Sequence, residues 1–309
     1  MTYVTSPVAV TPVTTRATLA TQIWFTGTRT GRRRYRPTMP APDADVVAMM
    51  RVKGAVALDD HQPDETFGWQ KAAAKNQLGV DVDAIAELQK RLFAERQRAV
   101  LIVLQAMDAG GKDGVIRSVM TGINPAGITI HSFGVPSDEE SEHDFLWRIH
   151  YRCPRRGIIG VFNRSHYEAV LVERVKELVT PDVWWPRYGH IRDFEHALTG
   201  AGTTVVKLYL NVSYEEQGRR LQDRIDSPDE QWKFRRGDLD DRKLWPAYRE
   251  AYTEALRETS TAETPWYVVP GDRKWVRDLA VAKILRQTLE QLDPQYPEPE
   301  EDLTGMVVT

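Results

Sequence analysis

One cysteine, Cys153, stands in a chain of 309 residues. No internal disulfide is available, and a cysteine-based metal cluster is excluded. Cys153 itself is expected as a small buried or half-buried side chain. No apolar run reaches the roughly 18 residues that a membrane-spanning helix needs. The first twenty residues are rich in Thr, Val and Pro and lack the basic start and apolar block of a secretory signal. Charge of one sign is also scarce. The net charge is only −3, so the field of the whole molecule does not mark a polyanionic partner. No internal repeat stands out. These absences describe a cytoplasmic globular protein, with neither a membrane nor a nucleic acid expected as partner.

The charge that is present is unevenly placed. Arg29, Arg32, Arg33, Arg34 and Arg36 crowd one stretch, and Arg219, Arg220, Arg224, Lys233, Arg235, Arg236, Arg242 and Lys243 crowd another. Local basic patches hold polyanions even on a nearly neutral protein. The first cluster equally suits a solvated tail. Residues 1–45 carry no sustained period and read as an irregular arm, and 293–309 as a loose Pro- and Glu-rich tail. Between them strands and helices alternate. A helix over 81–98 places Ile85, Leu88, Leu92 and Phe93 on one stripe and leads into the apolar run 99–104. An all-apolar run of that length suits a strand buried on both faces of a parallel sheet. Further strands are expected at 127–133, 157–162, 203–212 and 266–269. Helices are expected at 112–122, 138–150, 166–179, 191–201, 213–225, 241–258 and 273–292, with a charged, turn-rich stretch at 226–240. That alternation implies an α/β fold with a parallel sheet covered on both faces.

The most informative stretch, Gln105-Ala106-Met107-Asp108-Ala109-Gly110-Gly111-Lys112-Asp113-Gly114, lies between the first strand and a helix. Glycines there let backbone approach a phosphate, and the helix N-terminus favours its charge. Lys112 is placed to reach terminal phosphates. The pattern departs from the usual phosphate loop, because Ala106 replaces its first glycine and Asp113 replaces the Ser/Thr hydroxyl that commonly meets magnesium. Asp108 is the expected hard-oxygen substitute as metal ligand. At the end of the third strand, Asn163 occupies the place of a magnesium-holding acid, and Arg164 beside it can neutralise phosphate charge. His166 and Tyr167 are expected as core or capping residues. Arg220 and Arg224, four apart, share a helix face. The stretch from Ser227 to Asp238 has the composition of a mobile cover that closes on a transferring group.

These stretches, with HDFLWRIH (143–150), FNRSHYEAVLVERV (162–175), IDSPDEQWKF (225–234), GDLDDRKLWPAY (237–248) and PWYVVPGDRKW (265–275), resemble the polyphosphate kinase 2 family, most closely its class III branch. The resemblance runs from about Val52 to Leu292. It implies a three-layer α/β/α P-loop kinase fold over 46–292, with a helical lid at about 226–250. It also implies reversible transfer of a phosphoryl group from inorganic polyphosphate to AMP or ADP with Mg²⁺, or Mn²⁺ in its place. Guanine nucleotides are further candidate acceptors, and a homo-oligomer, dimer or tetramer, is expected. By the resemblance Asp108, Lys112 and Arg164 are catalytic and Asp108 holds the metal. Gly110, Gly111, Asp113, Gly114, Arg117, Asn163, Arg220, Arg224, Lys233 and Asp238 would bind nucleotide or polyphosphate. Two departures stand out: Asn163 where other classes carry Asp, and Arg235-Arg236 where Asn-Pro is common. Two competing readings remain at this point. An ATP-dependent nucleotide kinase would need no polyphosphate, and a polyanion-binding protein would transfer nothing.

Overall fold

The computed structural model describes residues 43–54 and 56–308. The Arg29–Arg36 cluster and most of the expected arm lie outside the described residues. Five strands, β1 (Ala99–Ala106), β2 (Ile128–Ser132), β3 (Ile159–Asn163), β4 (Thr203–Asn211) and β5 (Trp266–Pro270), form one sheet in the order β2-β3-β1-β4-β5. All neighbouring pairs run parallel, with Val100 opposite both Ile159 and Thr204. The helices are α1 (Asp43–Met50), α2 (Lys71–Glu95), α3 (Lys112–Val119), α4 (Asp138–Ser141), α5 (Trp147–His150), α6 (Val172–Val175), α7 (Pro181–Trp184), α8 (Arg187–Gly200), α9 (Tyr214–Asp226), α10 (Arg236–Lys243), α11 (Trp245–Thr259) and α12 (Lys274–Leu292).

Every residue of β1 is buried, which is why the strand reads as an unbroken apolar run. Successive side chains of a strand point to opposite faces, and β1 divides accordingly. Val100, Ile102 and Leu104 pack with Ile85 and Leu92 of α2, Val115 of α3 and Ile284 of α12. Leu101 and Val103 pack with Ile191 and Phe194 of α8 and Tyr252 and Leu256 of α11. The result is the three-layer α/β/α arrangement. Among the described residues no helix is long and apolar enough to cross a membrane.

Several elements differ from the sequence expectation: α2 starts ten residues before 81, and α10 occupies much of the stretch expected as turn-rich, leaving α11 to begin at Trp245. The helix expected over 138–150 is two short pieces. Ser137 opens α4 with a capping box, and the Asp144 carboxylate then accepts the Leu146 N–H at 2.9 Å, a local bond that competes with helix continuation. The helix expected over 166–179 is a 3₁₀ turn at His166–Ala169 followed by α6, because the Ser165 hydroxyl accepts the Tyr167 N–H and Glu177 turns left-handed at φ 53. The folded part also starts earlier than residue 46, with α1 at Asp43. Beyond α12, residues 293–308 carry no helix or strand, but Pro294 is buried and the Gln295 N–H bonds Glu95 of α2.

His166 and Tyr167 lie in the core, and with them a buried polar network that sequence reading did not find. Lys207 of β4 donates to Glu195 at 2.6 Å, to the Thr259 carbonyl at 2.7 Å and to the Tyr167 hydroxyl at 3.1 Å. His166 faces Glu195 at 3.3 Å. Burial works against the Glu195 carboxylate, yet Lys207 and His166 outweigh it and hold its pKa below the usual range.

Candidate active site

In an open α/β sheet, ligands bind beyond the carboxyl ends of the strands, where crossovers part to left and right. Here that place is the end of β1, flanked by β3 and β4. The chain leaves β1 at Ala106 and makes a tight turn in which the Gly110 N–H bonds the Met107 carbonyl at 2.9 Å. It enters α3 after Gly111, whose φ is +95°. A Cβ on Gly110 would lie 2.5 Å from Ala106 Cβ and 2.8 Å from the Met107 carbonyl, so the turn closes only around a glycine. Lys112 folds back across it and donates to the Ala106 carbonyl at 3.1 Å. Burial and the nearby Arg164 push the Lys112 pKa down to about 8, against the opposing pull of Asp108, Glu168 and Asp113.

Arg164 reaches the loop from the end of β3. It sits at φ 62, a left-handed backbone rare outside glycine, with its own N–H on the Leu104 carbonyl of β1. That turn carries its guanidinium to Asp108 at 2.6 Å and to Glu168 at 3.3 Å. Burial opposes its charge, but Glu168 and Asp108 prevail and raise its pKa. Asp108, Lys112 and Arg164 are thus brought together at one loop. Asn163 and Asp113 meet each other at 2.8 Å, amide to carboxylate.

Arg220 lies deeper than the other basic residues of its stretch of the chain. It is only 7 % exposed, and its guanidinium donates to the carbonyls of Ala109, Gly271 and Asp272 as well as to Glu216. With these bonds to two loops it braces the phosphate loop from within. Burial, with Arg277 close by, keeps its pKa below the ordinary arginine value although Glu216 pulls the other way. Arg277 of α12, 2 % exposed and paired with Asp278 at 2.6 Å, packs against the same loop. A Cβ at Gly111 would fall 2.0 Å from its Nη1, and one at Gly114 2.9 Å from its Nη2. Gly111 and Gly114 therefore make room for a guanidinium.

The remaining basic residues gather with α10. Arg224 lies 3.7 Å from Asp238, and Lys233 bonds Glu230 at 2.7 Å. Arg117, exposed on α3, is close enough to help Lys233 and Arg224 hold the Glu230 carboxyl below its usual range. Burial raises the Asp238 pKa, and the neighbouring Asp108 adds to it. Arg242 of α10 donates to Gln217 at 2.9 Å, and Gln217 donates to the Asp108 carbonyl at 3.1 Å, so α10 is linked to the loop through one amide. Sequence reading singled out neither Gln217 nor Arg277, nor the Lys176–Asp241 ion pair at 2.7 Å. Each acts through a partner far away in sequence. A small recess between loop and α10 is lined by Asp108, Arg164, Glu168, Lys176, Gln217 and Asp241.

Among the described residues no group of three or more His, Cys, Asp or Glu side chains is arranged to hold a metal. Asp108 alone presents a carboxylate from within the loop, with a side chain 21% exposed. One carboxylate completed by water and substrate oxygens is how Mg²⁺ is usually held at phosphate sites, so the residues fit that ion.

A family model for Polyphosphate kinase 2 matches residues 68–297. The chain is 52% identical over 249 residues to the AMP/ADP-polyphosphate phosphotransferase of Meiothermus ruber, covering 80% of this chain and 93% of that protein. It is 44% identical over 237 residues to the ADP-polyphosphate phosphotransferase of Rhodopseudomonas palustris, covering 72% of this chain and 81% of that protein. The crystal structure of polyphosphate kinase 2 from Arthrobacter aurescens TC1 superposes with a TM-score of 0.81 at 40% identity, covering 84% of this chain and 93% of that one. A cradle of glycines between β1 and α3, with a lysine, an aspartate and a strand-end arginine converging on it, is thus found in a chain that belongs to the polyphosphate kinase 2 family.

Proposed function

We propose that the protein moves a phosphoryl group between inorganic polyphosphate and AMP or ADP, reversibly and with Mg²⁺. The observation that carries this reading is the meeting of Asp108, Lys112 and Arg164 at one phosphate loop. Phosphoryl transfer asks little covalent work of a protein, and the rate comes from alignment and charge neutralisation. The nucleotide phosphate oxygen attacks the terminal phosphorus of the chain in line, and the bond to the bridging oxygen breaks. Lys112 and Arg164 neutralise the oxygens of the transferring group. Asp108 would hold Mg²⁺, which when bound supplies further neutralisation between phosphates, and Mn²⁺ would serve in its place. Arg117, Arg224 and Lys233 hold the outer phosphates, with Asp238 fixing Arg224. The segment at about 226–250, with α10 at its centre, serves as the lid that excludes water. Guanine nucleotides are secondary acceptors in this reading, which also takes the protein as a cytoplasmic dimer or tetramer.

Incubation with Mg²⁺, polyphosphate and either AMP or ADP, followed by chromatography of the nucleotides, tests the proposal. ATP formed from both acceptors is expected. ATP from ADP alone would restrict the acceptor. No product from either, with folded protein, would overturn the reading in favour of an ATP-dependent kinase or a polyanion-binding protein.

A further inference from the structure

Lys176 follows α6 and lines the recess beside Asp108. Its Nζ meets both oxygens of Asp241 on α10, at 2.7 Å and 3.0 Å. Asp241 is 17% exposed and Lys176 37%. An ammonium facing two oxygens of one anionic group is how lysine also meets phosphate. The surroundings make Asp241 an ill-placed partner for permanence. Asp108 and Glu168 line the same recess as Asp241, so a polyanion arriving there would meet three carboxylates, with Asp238 three residues away on the same helix. Two of the links that join α10 to its surroundings set an α10 carboxylate on a cation outside that helix, Asp241 on Lys176 and Asp238 on Arg224. A phosphate exchanged for the carboxylate would keep the ammonium paired and would let the acid turn to solvent.

We propose that Lys176 is a phosphate-holding residue of the groove, and that Asp241 occupies on its Nζ the place a substrate phosphate takes. This rests on the polyphosphate phosphotransferase reading. The phosphate could come from the nucleotide or from the polyphosphate chain, which share this chemistry.

The test measures KM for ADP and, separately, for polyphosphate in the full chain and in the variants Lys176→Gln, Asp241→Asn and the double variant, with thermal denaturation to confirm folding. Lys176→Gln should raise one of the two KM values about tenfold or more, the scale of a charge-assisted contact. Asp241→Asn removes the competitor and keeps the cation, so it should lower that same KM severalfold. The double variant should resemble Lys176→Gln. The KM that moves identifies the source of the phosphate. A clasp between α10 and the rest of the fold, and nothing more, would be lost equally in both single variants. Shifts of both in the same direction, or no shift in either, would overturn the proposal. Should the wild type transfer nothing, the functional reading fails by itself. Tripolyphosphate binding followed by calorimetry then decides, with opposite changes in the two variants expected and equal or absent changes overturning the inference.

Discussion

The tight turn after β1 makes a demanding test of how the loop is built. Replacing Gly110 by alanine adds one methyl at a position whose φ is not left-handed, so backbone strain is not the issue. The added atom would sit 2.5 Å from Ala106 Cβ and 2.8 Å from the Met107 carbonyl oxygen. Neither neighbour is a flexible side-chain end, so the relief must come from the backbone of the loop. Overpacking of this kind costs about 1–3 kcal/mol. A displacement on the order of 1 Å at a reacting centre can cost about a hundredfold in rate. The same substitution at Gly79, exposed in the interior of α2 with nothing within 4 Å of the added Cβ, should have the opposite sign. There it replaces a poor helix former by the best one, and about 1 kcal/mol of stabilisation is expected. Urea unfolding and polyphosphate-driven ATP formation, run on both variants, give the comparison. Gly110→Ala should lose stability and most activity, while Gly79→Ala gains stability and keeps its activity. Wild-type activity in folded Gly110→Ala would refute the view that this turn positions the reacting groups.

Three more predictions concern charge. Asp108→Asn should lower turnover about a hundredfold or more, while the loss of its half-exposed pair with Arg164 should cost no more than about 1 kcal/mol in unfolding experiments; unchanged turnover would remove Asp108 from the mechanism. Lys112 is charged below its pKa of about 8 and neutral above it, so KM for polyphosphate should climb above pH 8 by up to about tenfold per pH unit. Lys112→Arg should flatten that limb of a KM profile between pH 7 and 9.5. The same shift means that the unfolded chain binds the Lys112 proton more tightly than the fold between about 8 and 10.5, so this group makes the unbound fold more stable as pH rises across that window. Lys207→Met leaves the buried Glu195 carboxylate without its closest cation and should cost about 3–5 kcal/mol. Adding Glu195→Leu should recover much of that loss, and additive losses in denaturant titrations would contradict the pairing.

The phosphate loop and the sheet were legible because their signals are local. The unbroken apolar run of β1, followed at once by glycines, an aspartate and a lysine, carries both burial and chemistry in a dozen consecutive residues. Helix periodicity likewise put Arg220 and Arg224 on one face of α9. It could not say what that face meets. One turn separates Arg220, buried among the carbonyls of two loops, from Arg224, which reaches toward α10. Gln217 on the Asp108 carbonyl, Arg277 behind Gly111 and Lys176 against Asp241 join residues with no local pattern between them. The break between α4 and α5 was missed for the opposite reason. A single side chain, Asp144, overrides a stretch whose composition otherwise allows a helix.

The parallel strand order has a kinetic consequence. β1 finds its partners in β3 and β4, with Ala99 beside Thr203, so the central strand is completed only by segments made much later in the chain. Parallel pairing across such separations must meet its loop-closure entropy before any contact rewards it, which makes folding slow. The loop's surroundings are incomplete until α9 has delivered Arg220 to its carbonyls and α12 has set Arg277 behind Gly111 and Gly114. Affinity for phosphate is therefore acquired at the end of folding, not along the way. A nascent chain that has emerged only through β3 holds the recognisable loop sequence without the ability to use it, and phosphate binding becomes a reporter of the completed sheet.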